Sequence, residues 1–142
     1  MALVFISNGC PTARAYEDRL KALHDAGRAA DIPLVAINAN NPHLSPADTF
    51  EEMVKRARNR QFSFPYLQDR DSALARSLGA ICTPHAFLLD HTFEVVYSGR
   101  IDDSRLGDRI SSSDLRNAIA DLEAGRPVGT ERTEPFGCAI IW

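Results

Sequence analysis

Three thiols carry the reactive side chains of this sequence: Cys10 in VFISNGCPTARAYEDRL, Cys82 in AICTPH and Cys138 in FGCAIIW. The surroundings of Cys10 imply activation. An apolar run, Val4-Phe5-Ile6, stops at Ser7-Asn8-Gly9, and Cys10-Pro11 then opens an amphipathic segment. Proline is favoured at the first helical position, which puts Cys10 at a helix N-terminus. Unpaired N–H groups and the positive end of the helix dipole favour an anion there. A thiolate is such an anion, and cysteines so placed have a lowered pKa. Gly9 leaves the approach open, so the Cys10 sulfur is expected to be at least partly reachable. The competing reading is an inert core cysteine, a common fate for this residue type. Arg14, one turn further on, either favours the thiolate by its charge or belongs to a solvated helix face.

A second group of polar residues lies at Cys82-Thr83-Pro84-His85. A Thr-Pro pair that opens a strand after a short helix is where a cis proline would sit. The layout of the flanking elements places that loop beside the first helix N-terminus, so Cys82 and Thr83 would face Cys10. His85 and Cys10 are ligand types for copper or zinc. No C-x-x-C or H-x-x-x-H spacing supports a metal centre, however, and no metal or cofactor is expected. Arg100, in GRIDD, can serve the site or pair with Asp102 or Asp103. Ser7 can be a plain strand-end hydroxyl. P-loop, nucleophile-elbow and zincin motifs are absent.

These residues need elements to hold them. Ala2 to Ile6 reads as a short buried strand, and Pro11 to about Ala29 as a helix. Its inner face is expected to carry Ala15, Leu20, Leu23 and Ala26, with Glu17 among the interleaved charges and Gly27 and Asp31-Ile32-Pro33 as its stop. PLVAINAN reads as a second buried strand, completing a parallel βαβ unit. LSPADTFEEMVKRARNR reads as a helix capped by Ser45, with Pro46 first and Asp48 completing a capping box. FSFPYLQD is a short extended piece, and DSALARSLGA a two-turn helix. HAFLLD and EVVYSGRI are strands of a hairpin turned at Asp90 to Phe93. SSSDLRNAIADLEAG is the last helix, with a serine cap and Gly125 as its stop. The order β-α-β-α-α-β-β-α predicts an α/β fold: a central mixed sheet with helices on both faces, in one domain spanning 1–142. Residues 126–142 form a Pro/Gly-rich tail that carries Cys138.

Bulk properties exclude several function classes. A net charge of −3 gives no surface for nucleic acid or anionic membrane. No apolar run approaches the roughly 18 residues of a membrane span. The N-terminus enters a strand directly, without the pattern of a signal peptide. The odd cysteine count does not suggest a secreted disulfide scaffold, so a cytoplasmic location is expected.

The segments FISNGCPTARAYEDRL, VAINANNP, FEEMVKRARNRQFSFPYLQD, CTPHAFLLD, YSGRIDD and FGCAIIW together resemble a known family. It is the thioredoxin-fold, peroxiredoxin-like branch of the redoxin superfamily, related to alkyl hydroperoxide reductase and thiol-specific antioxidant proteins. The likeness runs across nearly the whole chain. Many relatives carry C-x-x-C-P at the opening motif; here Ser7 holds the first of those positions. Ser7-x-x-Cys10-Pro11-Thr12 is instead similar to the T-x-x-C-P-T of peroxiredoxins, where the hydroxyl helps hold thiolate and peroxide. Leu3 stands where those proteins place a proline, and an N-terminal β segment usual in such folds is missing, which would leave PLVAINAN as a sheet edge.

The resemblance implies a thiol-dependent oxidoreductase in which the Cys10 thiolate attacks a peroxide or a disulfide. Ser7, Pro11, Thr83, Pro84 and Arg14 would shape the substrate site. A cysteine on a Gly-flanked tail can reach such a site and resolve the product, which gives Cys138 a use; Cys82 is the rival resolver. The tail is expected to fold back, with Ile140, Ile141 and Trp142 docking on apolar surface. The implied partners are an external reductant of thioredoxin or glutathione type and a peroxide or disulfide substrate, with a homodimer among the assemblies allowed. Two other readings stand beside this one: a disulfide oxidoreductase without peroxidase activity, and a non-catalytic thioredoxin-fold module that binds a partner or metal.

Overall fold

The computed structural model describes residues 1–142. Its central sheet runs β3-β2-β1-β5-β6, with β1 at Ala2–Phe5, β2 at Leu34–Asn38, β3 at Tyr66–Gln68, β5 at His85–Leu89 and β6 at Val95–Gly99. β1 pairs parallel with β2 and antiparallel with β5, β2 pairs parallel with β3, and β5 and β6 form the expected hairpin. A second, two-stranded ladder joins β4 (Cys82–Thr83) to β7 (Cys138–Ala139). The sheet is mixed, as read from the sequence. The PLVAINAN strand is not an edge, because the FSFPYLQD piece supplies β3 alongside it. The far edge, β6, is covered by the tail: the Ser98 amide donates to the Glu131 carbonyl and the Thr133 amide to the Ser98 carbonyl, both at 3.0 Å.

Side chains alternate across β1 and so divide the core in two. Ala2, Val4 and Ile6 pack with Tyr16, Leu20 and Leu23 of α1 (Pro11–Ala29) and with Leu115, Ala118 and Ile119 of α4 (Asp114–Glu123). Leu3 and Phe5 face the other way, toward Ala75 of α3 (Ala73–Leu78), Phe87 and Ile140. The helices thus lie on both faces. No helix is long and apolar enough to cross a membrane.

The inner face of α1 is rotated from the expected one. Ala13, Tyr16, Leu20, Leu23 and Gly27 are buried, whereas Ala26 is exposed. Gly27 lies inside the helix, since a Cβ there would stand 2.1 Å from the Ile32 carbonyl oxygen. Glu17 is buried too, because Arg56 of α2 (Phe50–Asn59) and Arg60 at the C-cap of that helix reach it at 2.8 and 3.0 Å. The helix expected from Ser45 starts later. Pro46–Asp48 is a 3₁₀ turn, and Thr49 caps α2 by accepting the Glu52 amide at 3.3 Å. Ser45 makes no cap bond to the backbone, and Asp48 is fully buried. At α4 the cap position is Ser113, again without a side-chain cap bond, and Gly125 follows the end in the left-handed region at φ +72°.

The tail returns as a strand, held chiefly by its interior. Ile140 is buried and Phe136 packs on the main core, but Ile141 and Trp142 stay about two-fifths exposed, at 37% and 42%. Trp142 lies under the Arg76 guanidinium, 4.3 Å from the ring centre. Gly137 is what lets the tail approach. Its φ is +151°, and a Cβ would fall 2.0 Å from the Thr83 carbonyl oxygen. Close contact, more than freedom, is its contribution.

Candidate active site

β1 ends at the joint with α1, and Cys10 is the N-cap of that helix. Its extended backbone, φ −90° and ψ 114°, lets its carbonyl accept the Arg14 amide at 3.0 Å while its sulfur accepts the Ala13 amide at 3.3 Å. The sulfur therefore does what an aspartate or serine oxygen does at other caps. In its thiol form it donates to the Thr83 carbonyl at 3.1 Å. Thr83-Pro84 is the cis peptide expected there, and its loop lies against Cys10.

Cys138 enters from the tail. In the β4–β7 ladder it pairs with Thr83, while Cys82 pairs with Ala139. Neighbouring residues of a strand point to opposite sides, so Cys82 points away from the side that Thr83 and Cys138 share. Burial acts to raise the Cys10 pKa. Hydrogen bonding from Cys138, Thr83 and the Ala13 amide to the thiolate outweighs it, and the thiol lies below its ordinary range. Burial, then the hydrogen bond and charge of Cys10, hold Cys138 above its own. The pair is polarised in acidity, with Cys10 the more acidic thiol of the two. Cys82 is pushed up to about 11 by burial and by the charges of both other cysteines, and its sulfur has only the distant Pro84 carbonyl, at 3.8 Å. All three are free thiols.

The other candidate residues divide. Ser7 is buried and its hydroxyl meets the Thr83 hydroxyl at 3.2 Å. It is linked to Cys10 by hydrogen bonding through Thr83. Pro11 is the first residue of α1 and is exposed. Arg14 turns from the sulfur to donate to the Asn8 carbonyl at 2.5 Å, so the charge support expected of it is absent. Arg100 pairs with Asp114 at 2.7 Å, and Asp102 pairs with Arg19. His85 is a buried neutral imidazole: its Nδ1 accepts the Ile81 amide at 3.3 Å, its ring stacks on Phe87, and burial pushes its pKa down to about 4. No cluster of three His, Cys, Asp or Glu side chains is present to hold a metal ion. The expectation of a reachable Cys10 sulfur is corrected: the residue is 2% exposed, covered by the tail, and the half-buried Cys138 is the outer thiol.

A further residue completes the site: Thr12, in the first turn of α1, acts to lower the Cys138 pKa against the larger effects of burial and Cys10. Asn8 has every polar group engaged. Its amide donates to Asp48 at 2.7 Å and its side-chain N–H to the Ala47 carbonyl at 2.8 Å; its side-chain oxygen accepts from Tyr66 at 3.0 Å. The available signal was the run of asparagines in VAINANNP, since polar residues continuing a buried strand need partners.

The AhpC/TSA family profile matches residues 1–103, which include the Cys10 joint and the Thr83-Pro84 loop. The chain belongs to the AhpC/TSA family. No curated protein matches it. Two solved structures are similar at 34% identity across 99% of this chain. A hypothetical protein from Sinorhizobium meliloti superimposes with a TM-score of 0.91 and is covered over 78% of its length. An uncharacterized conserved protein from Geobacillus kaustophilus gives 0.92 and 76%. A thioredoxin-like protein solved in its oxidised form matches at 15% identity and TM-score 0.68, over 88% of this chain and 79% of its own. This AhpC/TSA member therefore has the thioredoxin-like fold expected of it, and the family is one of thiol redox proteins.

Proposed function

We propose that the protein is a thiol-dependent oxidoreductase that cycles a Cys10–Cys138 dithiol and disulfide. The observation that carries this is geometric: Cys10 caps the first helix and bonds Thr83, and the β4–β7 ladder sets Cys138 opposite that same Thr83. In the peroxidase form of the cycle, the Cys10 thiolate attacks the peroxide oxygen. Cys10 becomes a sulfenic acid and an alcohol or water leaves. The Cys138 sulfur then attacks Cys10, forming the disulfide and releasing water. Two external thiols return the disulfide to dithiol and leave oxidised. Cys10, with its lowered pKa, is the better leaving group of the two, which suits an incoming thiol that attacks Cys138.

A second reading is favoured by one observation. Cys10 is sealed at 2% exposure, and the Ser7 hydroxyl bonds Thr83 and not its sulfur. A disulfide oxidoreductase needs only the outer sulfur to meet its partner, whereas a peroxidase needs the tail to lift before peroxide reaches Cys10. The test is to treat reduced protein with one equivalent of hydrogen peroxide or of oxidised glutathione, follow peroxide loss, and map disulfides by mass spectrometry without reduction. Peroxide consumption with a Cys10–Cys138 link supports the peroxidase cycle. The same link from oxidised glutathione alone supports the exchange reading. Three free thiols under both oxidants would refute the redox cycle and favour a binding module.

A further inference from the structure

We propose that Asp48 is the positioning residue of the Cys10–Cys138 pair: one carboxylate holds the Cys10 loop through the Asn8 amide and the Cys138 tail through Asn40. The inference rests on the redox cycle proposed above and assigns it a component that lies outside the reacting thiols.

Asp48 is completely buried and accepts four hydrogen bonds. Oδ1 takes the Asn8 amide at 2.7 Å and the Asn38 side-chain amide at 2.8 Å. Oδ2 takes the Ser45 hydroxyl at 2.6 Å and the Asn40 side-chain amide at 3.0 Å. Four donors fill the accepting capacity of a carboxylate. Burial acts to raise its pKa, but the bonds from Ser45, Asn40, Asn38 and Asn8 more than offset this and keep it ionised.

Two of the four bonds lead to the thiols. Asn8 stands two residues before Cys10, and the remaining groups of Asn8 are held by Ala47, Tyr66 and Arg14. Asn40 spends its side-chain N–H on Asp48 and its side-chain oxygen on the Ile141 amide, at 2.9 Å. The Asn41 amide adds a bond to the Ile141 carbonyl at 2.7 Å. Ile141 lies three residues beyond Cys138. The path from the Cys10 loop through Asp48 and Asn40 to the tail thus closes a ring with the two sulfurs. The Ser45 hydroxyl lies beside Gly9 but makes its hydrogen bond to Asp48 alone, not to the Cys10 loop or the tail. A buried carboxylate is costly unless its bonds are all made, and an apolar residue would fill the space without that cost. What the charge adds is a fixed relation between two segments distant in sequence, which sets how readily two thiols meet.

The test is the equilibrium of the Cys10–Cys138 pair with glutathione. The dithiol loses two electrons and two protons, and one oxidised glutathione becomes two reduced ones. Full-length wild type, Asp48→Asn, Asn40→Ala and Ser45→Ala are titrated across glutathione ratios and the disulfide fraction is read by mass. Asp48→Asn and Asn40→Ala are expected to lower the disulfide constant by about tenfold or more, the scale of a lost hydrogen bond to a charged group. Ser45→Ala removes a bond from the same carboxylate and should change it by less than about twofold. If Asp48→Asn does not fold, the contrast between Asn40→Ala and Ser45→Ala decides. Equal shifts for those two, or none for Asn40→Ala, would overturn the positioning role. A wild type that forms no such disulfide overturns the redox cycle itself, and this role with it.

Discussion

The segment from α3 into β4 and the C-terminal tail each bring a cysteine to the same place, and they bond to each other through β4 and β7. Only one presents its sulfur to Cys10. The β4 segment is fixed from within the fold. His85 anchors it through the Ile81 amide, and the cis Thr83-Pro84 peptide aims the Thr83 carbonyl and hydroxyl at the site. Strand alternation then turns Cys82 away, at the cost of a pKa near 11. The tail is fixed from outside, by Gly137 against Thr83, Ile140 in the second core and Ile141 on Asn40. Its register places Cys138 opposite Thr83, beside the Cys10 sulfur. The proposed redox pair therefore joins Cys10 to the half-exposed thiol of the docked tail, a choice that rests on strand register and not on proximity alone.

Removing either thiol tests that contrast most severely. Cys138→Ser should abolish the intramolecular disulfide under oxidised glutathione, and Cys82→Ser should leave its yield unchanged, both read from unreduced peptide maps. A Cys10–Cys82 link in wild type would reverse the assignment. Acid should act on the other region, where His85 is held near 4 against an ordinary 6.5. A lowered pKa contributes stability that is present above pH 6.5 and is lost as pH falls through 4. Urea unfolding of wild type should weaken by at most about 3.4 kcal/mol across that window, the full scale of such a pKa difference. His85→Gln, which keeps an acceptor for Ile81 but does not titrate, should flatten the loss.

Gly137→Ala addresses how closely the tail can approach. A Cβ there would meet the Thr83 carbonyl, and the positive φ adds strain of about 1–3 kcal/mol. The disulfide constant should fall by roughly ten- to a hundredfold, by the usual conversion, and Cys10 should alkylate faster as the tail lifts. The mildest effect concerns the order of the thiols. Stepwise alkylation of the wild type across pH should modify Cys10 slowly but with a midpoint below that of a free thiol, and Cys82 only near pH 11. Cys138→Ala should move the Cys10 midpoint upward, because the thiolate loses a donor. Coincident midpoints for all three would remove the polarisation on which the comparison rests.

Local chemistry was legible wherever a residue acts on its own chain neighbours. The Gly-Cys-Pro joint needs only the end of one strand and the start of one helix, and Cys10 caps α1 as that pattern requires. The hairpin turn at Asp90 and the stop at Gly125 are local in the same way. Long side chains were less legible, because they choose among partners that the fold brings near. Arg14 found the Asn8 carbonyl, Arg100 found Asp114, and Glu17 left the solvent face for Arg56 and Arg60. Capping was legible in kind but not in place. Ser45 and Thr49 both fit a cap, and Asp48, bonded to Asn8, Asn38 and Asn40, could not also serve the helix.

The sequence by itself determined the order of the α and β elements, the helix-capping position of Cys10, the cis Thr83-Pro84 peptide and a tail apolar enough to return. Each of these follows from patterns within some twenty residues: periodicity, capping, turn chemistry and composition. Tertiary structure alone decided that β3 covers β2, that Cys10 lies sealed beneath the tail, that Cys138 and not Cys82 shares its face, and that a buried Asp48 ties the two segments together. Those outcomes depend on register and packing between segments up to 101 residues apart, as Asn40 and Ile141 are. Hydrogen-bond geometry and side-chain alternation fix them only once the sheet has formed.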